Sequence, residues 1–229
     1  YAWDMNMQVS HEAIYQYIYV LPRGELKQLL IKGLRQERKH RRAQKRGDTA
    51  ETRGKIANML SIEERPAEVA ERSVPGHWEG DLILGKYKRS ALGTLVERTT
   101  RYTILVPLGE HKDAASVREA YAEAFKSLPA ELKKSLTYDQ GKEMSEHEQF
   151  TIDTGIQVYF AHPGSPWERG TNENTNGLIR QYFPKGTDFT QVSKEEILEV
   201  QRKLNDRPRR ALGYLKPDEV INQLVALKT

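Results

Sequence analysis

HWEGDLILGKYKRSALGTLVERTTRYTILVPLG, residues 77–109, decides the fold class. It falls into three β-rich runs, 77–87, 91–100 and 101–109, separated by turn-like breaks, which is the pattern of a three-stranded antiparallel meander. Asp113 then caps a helix whose Val117, Ala120, Tyr121, Ala124, Phe125 and Leu128 recur at three- and four-residue intervals as one buried stripe, ended by Pro129. SLTYD (135–139) reads as a fourth strand, GKEMSEHEQFTIDTG (141–155) as a helix closed by Gly155, and IQVYFA (156–161) as a fifth strand. The chain beyond is mainly helical. Ser193 with Glu196 forms a capping box ahead of Ile197, Val200 and Leu204, and Pro217 opens a last helix. The order β β β α β α β α α predicts an α/β fold, a mixed five-stranded sheet flanked by helices. The first three strands lack crossover helices, so a doubly wound repeat is excluded.

At 229 residues the chain accommodates one main domain and a small accessory region. It contains no cysteine, which excludes disulfides, thiolate zinc sites and thiol redox chemistry and fits a reducing cytoplasm. No apolar run approaches the roughly 20 residues that span a bilayer, and no charged-then-apolar leader opens the chain. A soluble cytoplasmic, nucleoid-associated protein without a membrane partner is expected. Lys and Arg number 36 against 32 Asp and Glu, the sequence pI is about 9.1, and the excess is unevenly placed, which suits a polyanionic partner. The first residue is Tyr1 and helical patterning starts almost at once, so a fragment with something N-terminal to it is expected.

Ser10 is a good N-cap for a helix with Ile14, Tyr17 and Ile18 on one face, and residues 21–36 read as a second helix, interrupted at Gly33. Two short helices joined by a Pro-Arg-Gly turn suit the remnant of a helix-turn-helix DNA-binding region, although ordinary bundles contain such pairs too. Arg35, Arg38, Lys39, Arg41, Arg42, Lys45 and Arg46 follow, opposed by Glu37 alone. Such a block is extended unless anions neutralise it; it is either a solvated linker or a salt-dependent DNA contact. The expected organisation is a helical region at 1–34, a basic linker at 35–66 and the sheet domain at 67–229.

Asp81 interrupts an apolar strand and shares a face with Glu79 and Ile83. Its charge faces solvent or a site, since a buried bare carboxylate must be paired or metal-bound. Asp139 stands at the carboxyl end of the fourth strand, where mixed sheets open their crevices. It is either the acceptor of an Asx-turn or helix cap, or a site residue. PWERGTNENTNGLIRQYFPKG (166–186) offers two further acids, Glu168 and Glu173. Five helical residues turn about 500°, so the two point roughly 140° apart and one alone can face the Asp pair. Around Glu173 the helical neighbours are Arg169, Asn176, Gly177 and Arg180, a polar and cationic face; Glu168 is better explained as a first-turn acid. The six histidines form no obvious pair. His147 reads as solvated, His162 as a structural hydrogen-bonding group, and Trp78 and Trp167 as packing residues rather than base-stacking platforms.

GHWEGDLILG, LTYDQGKE, HPGSPWERGTNENTNGLIRQYFPKGTDF and LNDRPRRALGYLKPDEV resemble the catalytic domain of bacterial insertion-sequence transposases of the DDE type, family thirty, over about residues 70–225. Upstream, SHEAIYQYI resembles the end of that family's DNA-binding region. Two departures stand out: Gln140 where Asn is expected after the second Asp, and Glu168 where Gln is common.

The resemblance implies a ribonuclease H-like, integrase-type core with Asp81, Asp139 and Glu173 as catalytic and metal-binding triad, the last two separated by the family's 33 residues. Three carboxylates without cysteine suit Mg²⁺ or Mn²⁺, and two such ions could flank a scissile phosphate. Arg169, Arg180 and Lys185 are either candidates for steadying phosphate charge or exposed helix cations. The implied activity is cleavage of insertion-sequence ends and transfer of the 3′ ends to target DNA. The partners would be double-stranded DNA, at the terminal inverted repeats and the target, and a second protomer. The competing readings are a non-catalytic DNA-binding regulator and an integrase or nuclease on the same fold.

Overall fold

The computed structural model describes residues 9–34 and 56–226. The chain divides into two compact units, 1–47 and 48–229.

In the first unit, α1 (His11–Val20) starts where Ser10 Oγ accepts the Ala13 N–H at 3.1 Å. The second helix, α2 (Glu25–Lys32), is shorter than its expected span: Pro22 and Gly24 hold the turn before it, and Gly33 caps it. Lys27 Nζ donates to the carbonyls of Tyr19 and Leu21, at 2.9 and 2.7 Å, supplying donors that the end of α1 lacks. Of the expected stripe, Ile18 is buried, whereas Ile14 and Tyr17 are exposed. The cationic block at 35–46 lies outside the described residues.

The second unit is built on five strands: β1 (His77–Leu84), β2 (Ala91–Glu97), β3 (Thr103–Gly109), β4 (Ser135–Tyr138) and β5 (Gln157–Phe160). Their order is β3-β2-β1-β4-β5. β1, β2 and β3 pair antiparallel as a meander, and β4 and β5 join parallel to β1. The helices are α3 (Ala67–Glu71), α4 (Ala114–Lys126), α5 (His147–Thr154), α6 (Gly170–Ile179), α7 (Lys194–Asn205) and α8 (Pro217–Ala226). This is the mixed five-stranded sheet flanked by helices that the order of elements predicts, and it agrees with the ribonuclease H-like fold that the resemblance implies.

Side-chain alternation along β1 sends Trp78 and Leu82 to one face and Glu79, Asp81 and Ile83 to the other. The first face packs on α4 and α5 through Leu136, Tyr138, Tyr121, Phe125 and Phe150. Trp78 is fully buried there, its Nε1–H donating to Leu132 O at 2.8 Å and its ring edge-on to Phe125. On the second face Ile83, Leu92 and Leu105 pack with Leu178 and Ile179 of α6 and Ile197, Val200 and Leu204 of α7. The capping box of Ser193 and Glu196 starts α7 as expected.

The helix expected at 141–155 is broken. A 3₁₀ turn, Lys142–Met144, precedes α5, because Glu146 adopts φ −93°, ψ 28°; Gly155 closes α5 in the left-handed region at φ 73°. Residues 56–66, which the sequence reading placed in the linker, pack against the sheet domain. Ile56 is in its core, Leu60 O accepts the Phe160 N–H at 2.8 Å, and Arg65 Nη1 donates to Thr137 Oγ1 at 3.0 Å. No described helix is long and apolar enough to cross a membrane.

Candidate active site

Parallel pairing of β1 with β4 sets Glu79 opposite Thr137, and two residues further on stand Asp81, within β1, and Asp139, one residue past the end of β4. Two glycines allow the sheet to carry them. A Cβ on Gly80 would meet the Tyr138 ring at 2.8 Å, and one on Gly93 the Tyr121 ring at 2.5 Å. The two tyrosines fill the space beneath the site, and Tyr121 Oη donates to Asp81 O at 2.9 Å. Asp139 Oδ1 accepts the Gly141 N–H at 2.9 Å, an Asx-turn, which leaves Oδ2 to take Arg169 Nη2 at 3.1 Å.

The opposite wall is α6, entered through a 3₁₀ turn, Pro166–Arg169. Arg169, at the junction, is buried; Nη1 donates to Gly80 O at 3.0 Å and lies 3.7 Å from Asp81 Oδ1. One guanidinium thus reaches both aspartates. Two turns along, Asn176 Nδ2 donates to Asp81 Oδ2 at 2.8 Å. Glu173 lies between them in sequence, three residues before Asn176 on the same face of α6, and is exposed. Its carboxylate is not gathered with the Asp pair: among the described residues no three His, Asp or Glu side chains are grouped as a metal cage. Glu168 is engaged elsewhere. It belongs to the 3₁₀ turn rather than to a continuous helix with Glu173, and it accepts from His162 N at 2.8 Å while lying 2.8 Å from His162 Nδ1.

Burial pushes the Asp81 carboxyl above the ordinary carboxylate range; Arg169 pulls it down and Asp139 pushes it up again. Such an environment favours a cation beside the pair. Deeper in, Glu79 is wholly buried and answered by Arg98 and by the Asn172 backbone N–H, at 2.8 Å for the latter. Asn172, also buried, donates Nδ2 to Glu79 O at 2.9 Å and accepts from Thr94 Oγ1 at 3.1 Å, which fixes the first turn of α6 to β1 and β2.

An Integrase core domain model matches residues 71–166. The transposase for insertion sequence element IS1086 of Cupriavidus metallidurans is 49% identical over 224 residues, which cover 98% of this chain and 65% of that protein. The transposase InsI for insertion sequence element IS30A of Escherichia coli is 46% identical over 228 residues, 97% of this chain and 58% of that protein. Along nearly its whole length the chain is similar to these two transposases. It spans about three fifths of the length of these relatives. Among solved structures, a chain of the simian T-cell lymphotropic virus intasome in complex with PP2A regulatory subunit B56 gamma aligns with a TM-score of 0.48 and 17% identity, covering 58% of this chain and 49% of that one.

The cations expected to steady phosphate are differently placed. Arg169 serves the aspartates. Arg180 is half-buried and donates to the carbonyls of Leu84, Phe183 and Pro184, at 2.7, 3.4 and 3.2 Å. Lys185 is exposed. Arg35, Arg38, Lys39, Arg41, Arg42, Lys45 and Arg46 lie outside the described residues.

Two sequence expectations are corrected. His147 is not solvated: it is buried, its Nε2 lies 3.2 Å from Asn58 O, and its ring meets Phe160 edge-on. Trp167 is not a packing residue; it is 73% exposed on the 3₁₀ turn before Arg169. His162 does make the structural hydrogen bond expected of it. Asn172 and Asn176 escaped the sequence reading as site residues. Their spacing from Glu173 was the available signal, since Asn176 is its i+3 neighbour, but the partners that give them meaning come from β1 and β2.

Proposed function

We propose that the chain carries the catalytic part of a DNA transposase, which cleaves insertion-sequence ends and joins the freed 3′ ends to target DNA by divalent-metal-dependent phosphoryl transfer. The observation that carries this reading is the convergence of Asp81 and Asp139 from adjacent parallel strands onto one cationic group, Arg169. The donor chemistry fits Mg²⁺ or Mn²⁺: carboxylate oxygens, an amide Oδ1 of Asn176 that is buried without a partner among the described residues, and no thiolate in the chain.

Asp81, Asp139 and Glu173 would hold the ions, two by preference, and act as the catalytic carboxylates. When bound, such ions polarise the scissile phosphate and activate water or a 3′-hydroxyl. The protein's own part is positioning. Asn176 orients the Asp81 carboxylate through Oδ2, the Gly141 N–H orients Asp139 through Oδ1, and Asn172 holds the helix that presents Glu173. Lys185 would contact the DNA backbone near this edge. Residues 1–34 and the cationic stretch at 35–46 would bind duplex DNA at the terminal inverted repeats, largely through phosphates. Two ends must be handled together, so the working form would be a homodimer or larger assembly on DNA.

The test is a labelled element-end duplex incubated with a plasmid and Mg²⁺ or Mn²⁺. Nicking at the end followed by covalent joining of its 3′-hydroxyl to the plasmid is expected. Cutting without joining would make the chain a nuclease. Binding without cutting would make it a regulator.

A further inference from the structure

Arg169 is placed as no ordinary surface cation is. Its guanidinium is buried, it spans Asp81 and Asp139, and Nη1 is also tied to Gly80 O. Yet Nε is buried without a hydrogen-bond partner among the described residues, so one of the strongest donors in the site is unspent. The Asp139 side chain beside it is 43% exposed, which leaves that flank open to an incoming group. A planar, forked guanidinium with a spare donor matches the oxygens of a phosphate diester better than it matches two carboxylates on different strands.

A divalent cation held between these carboxylates would compete with Arg169 for the same oxygens, because like charges cannot share them without strong repulsion. Arg169 and the metal are therefore rivals until something else takes the guanidinium. A DNA phosphate supplies that alternative.

We propose that Arg169 is a counter-ion gate, which pairs with Asp81 and Asp139 in the free protein and cedes them to divalent cation as it moves onto the phosphate of bound DNA. This rests on the metal-dependent reading above and adds regulation to it. Metal affinity is low without DNA and rises with it, and by reciprocity the metal raises DNA affinity by the same factor. The ions are thereby loaded where a scissile phosphate is present, which guards against stray cleavage.

The test is calorimetric titration of Mn²⁺ into the protein and into R169Q, each with and without a short element-end duplex. R169Q is expected to bind Mn²⁺ about tenfold more tightly than the unaltered protein in the absence of DNA, a typical coupling, and to lose the further gain that the duplex produces. Equal or weaker binding by R169Q overturns the gate while leaving the metal site standing. Absence of Mn²⁺ uptake by either protein, even with duplex, removes the metal reading itself and the gate with it. If R169Q does not fold, R169K carries the test: lysine keeps the charge but cannot span both carboxylates. It is expected to bind Mn²⁺ more tightly than the unaltered protein without DNA, and equal or weaker binding counts against the gate.

Discussion

Asn172 grips Glu79 twice: its backbone N–H donates to the Glu79 carboxylate at 2.8 Å, and its side-chain amide donates to the Glu79 carbonyl at 2.9 Å. The first turn of α6 is thereby bonded to the middle of β1, two residues from Asp81. Glu173, the next residue along, inherits its place from this clamp. Arg98 answers the charge of the buried Glu79 carboxylate, a pair whose removal on one side alone would leave an uncompensated ion.

Replacing Asn172 by Ala should therefore cost about 1–3 kcal/mol for each buried group it leaves without a partner. It should also lower DNA cutting more than the stability loss explains, since the helix carrying Glu173 loses the side-chain half of its anchor and keeps only the backbone bond to Glu79. Urea denaturation read beside a cleavage assay at a temperature where the variant is fully folded separates the two effects.

The two described tryptophans should behave oppositely. Trp78→Ala empties a fully buried position and removes the bond to Leu132 O, so a loss of about 3–5 kcal/mol is expected. Trp167 is 73% exposed, and its replacement by Ala should change unfolding free energy by less than about 0.5 kcal/mol. Chemical denaturation midpoints decide this; a large loss at Trp167 would mean that it packs after all.

Glu168 and Glu173 differ in what already occupies them. With Glu168 committed to His162, Glu168→Gln should retain most cutting, whereas Glu173→Gln should lose roughly 100-fold or more, the scale on which a transition state feels one missing electrostatic partner. Rates on a labelled duplex at saturating Mn²⁺ make the comparison. The reverse ranking would transfer the third acid to Glu168.

His77 gives stability a pH dependence. Its ring is buried between Ser135 Oγ and Glu68 Oε1, and burial lowers its pKa from the ordinary 6.5, against the pull of Glu68. Between the depressed value and 6.5 the unfolded chain binds more protons than the folded one, so stability falls as the solution is acidified through that window and is fully present above it. His77→Asn should flatten this part of the curve. Unfolding free energies measured from pH 7.5 down to 5 test the sign; a rise on acidification that depends on His77 would refute it.

What the sequence disclosed depended on how local the deciding interaction is. The caps at Ser10, Asp113 and Ser193, the left-handed Gly155 and the β1-β2-β3 meander were legible because each is settled within a few residues. Asp81 was legible as a strand position and Asp139 as the residue at the carboxyl end of the fourth strand, with the Asx-turn among its alternatives. His147 was misread because the groups that bury it, Asn58 and Phe160, arrive from distant segments. Trp167 was misread because an aromatic ring at a helix entrance is usually covered, and nothing local says that this one is not. Arg169 was legible as a candidate phosphate cation from its charge and its spacing from Glu173, with an exposed helix cation as the alternative. Its grip on both aspartates becomes visible once β4 is known to lie parallel beside β1, which no local pattern specifies.

The most direct test of the central claim is anomalous diffraction from Mn²⁺ in crystals of the protein bound to an element-end duplex. The account predicts manganese peaks coordinated by Asp81, Asp139 and Glu173 together, facing the scissile phosphate. Peaks elsewhere, or a Glu173 carboxylate that stays outside the coordination sphere, would contradict it.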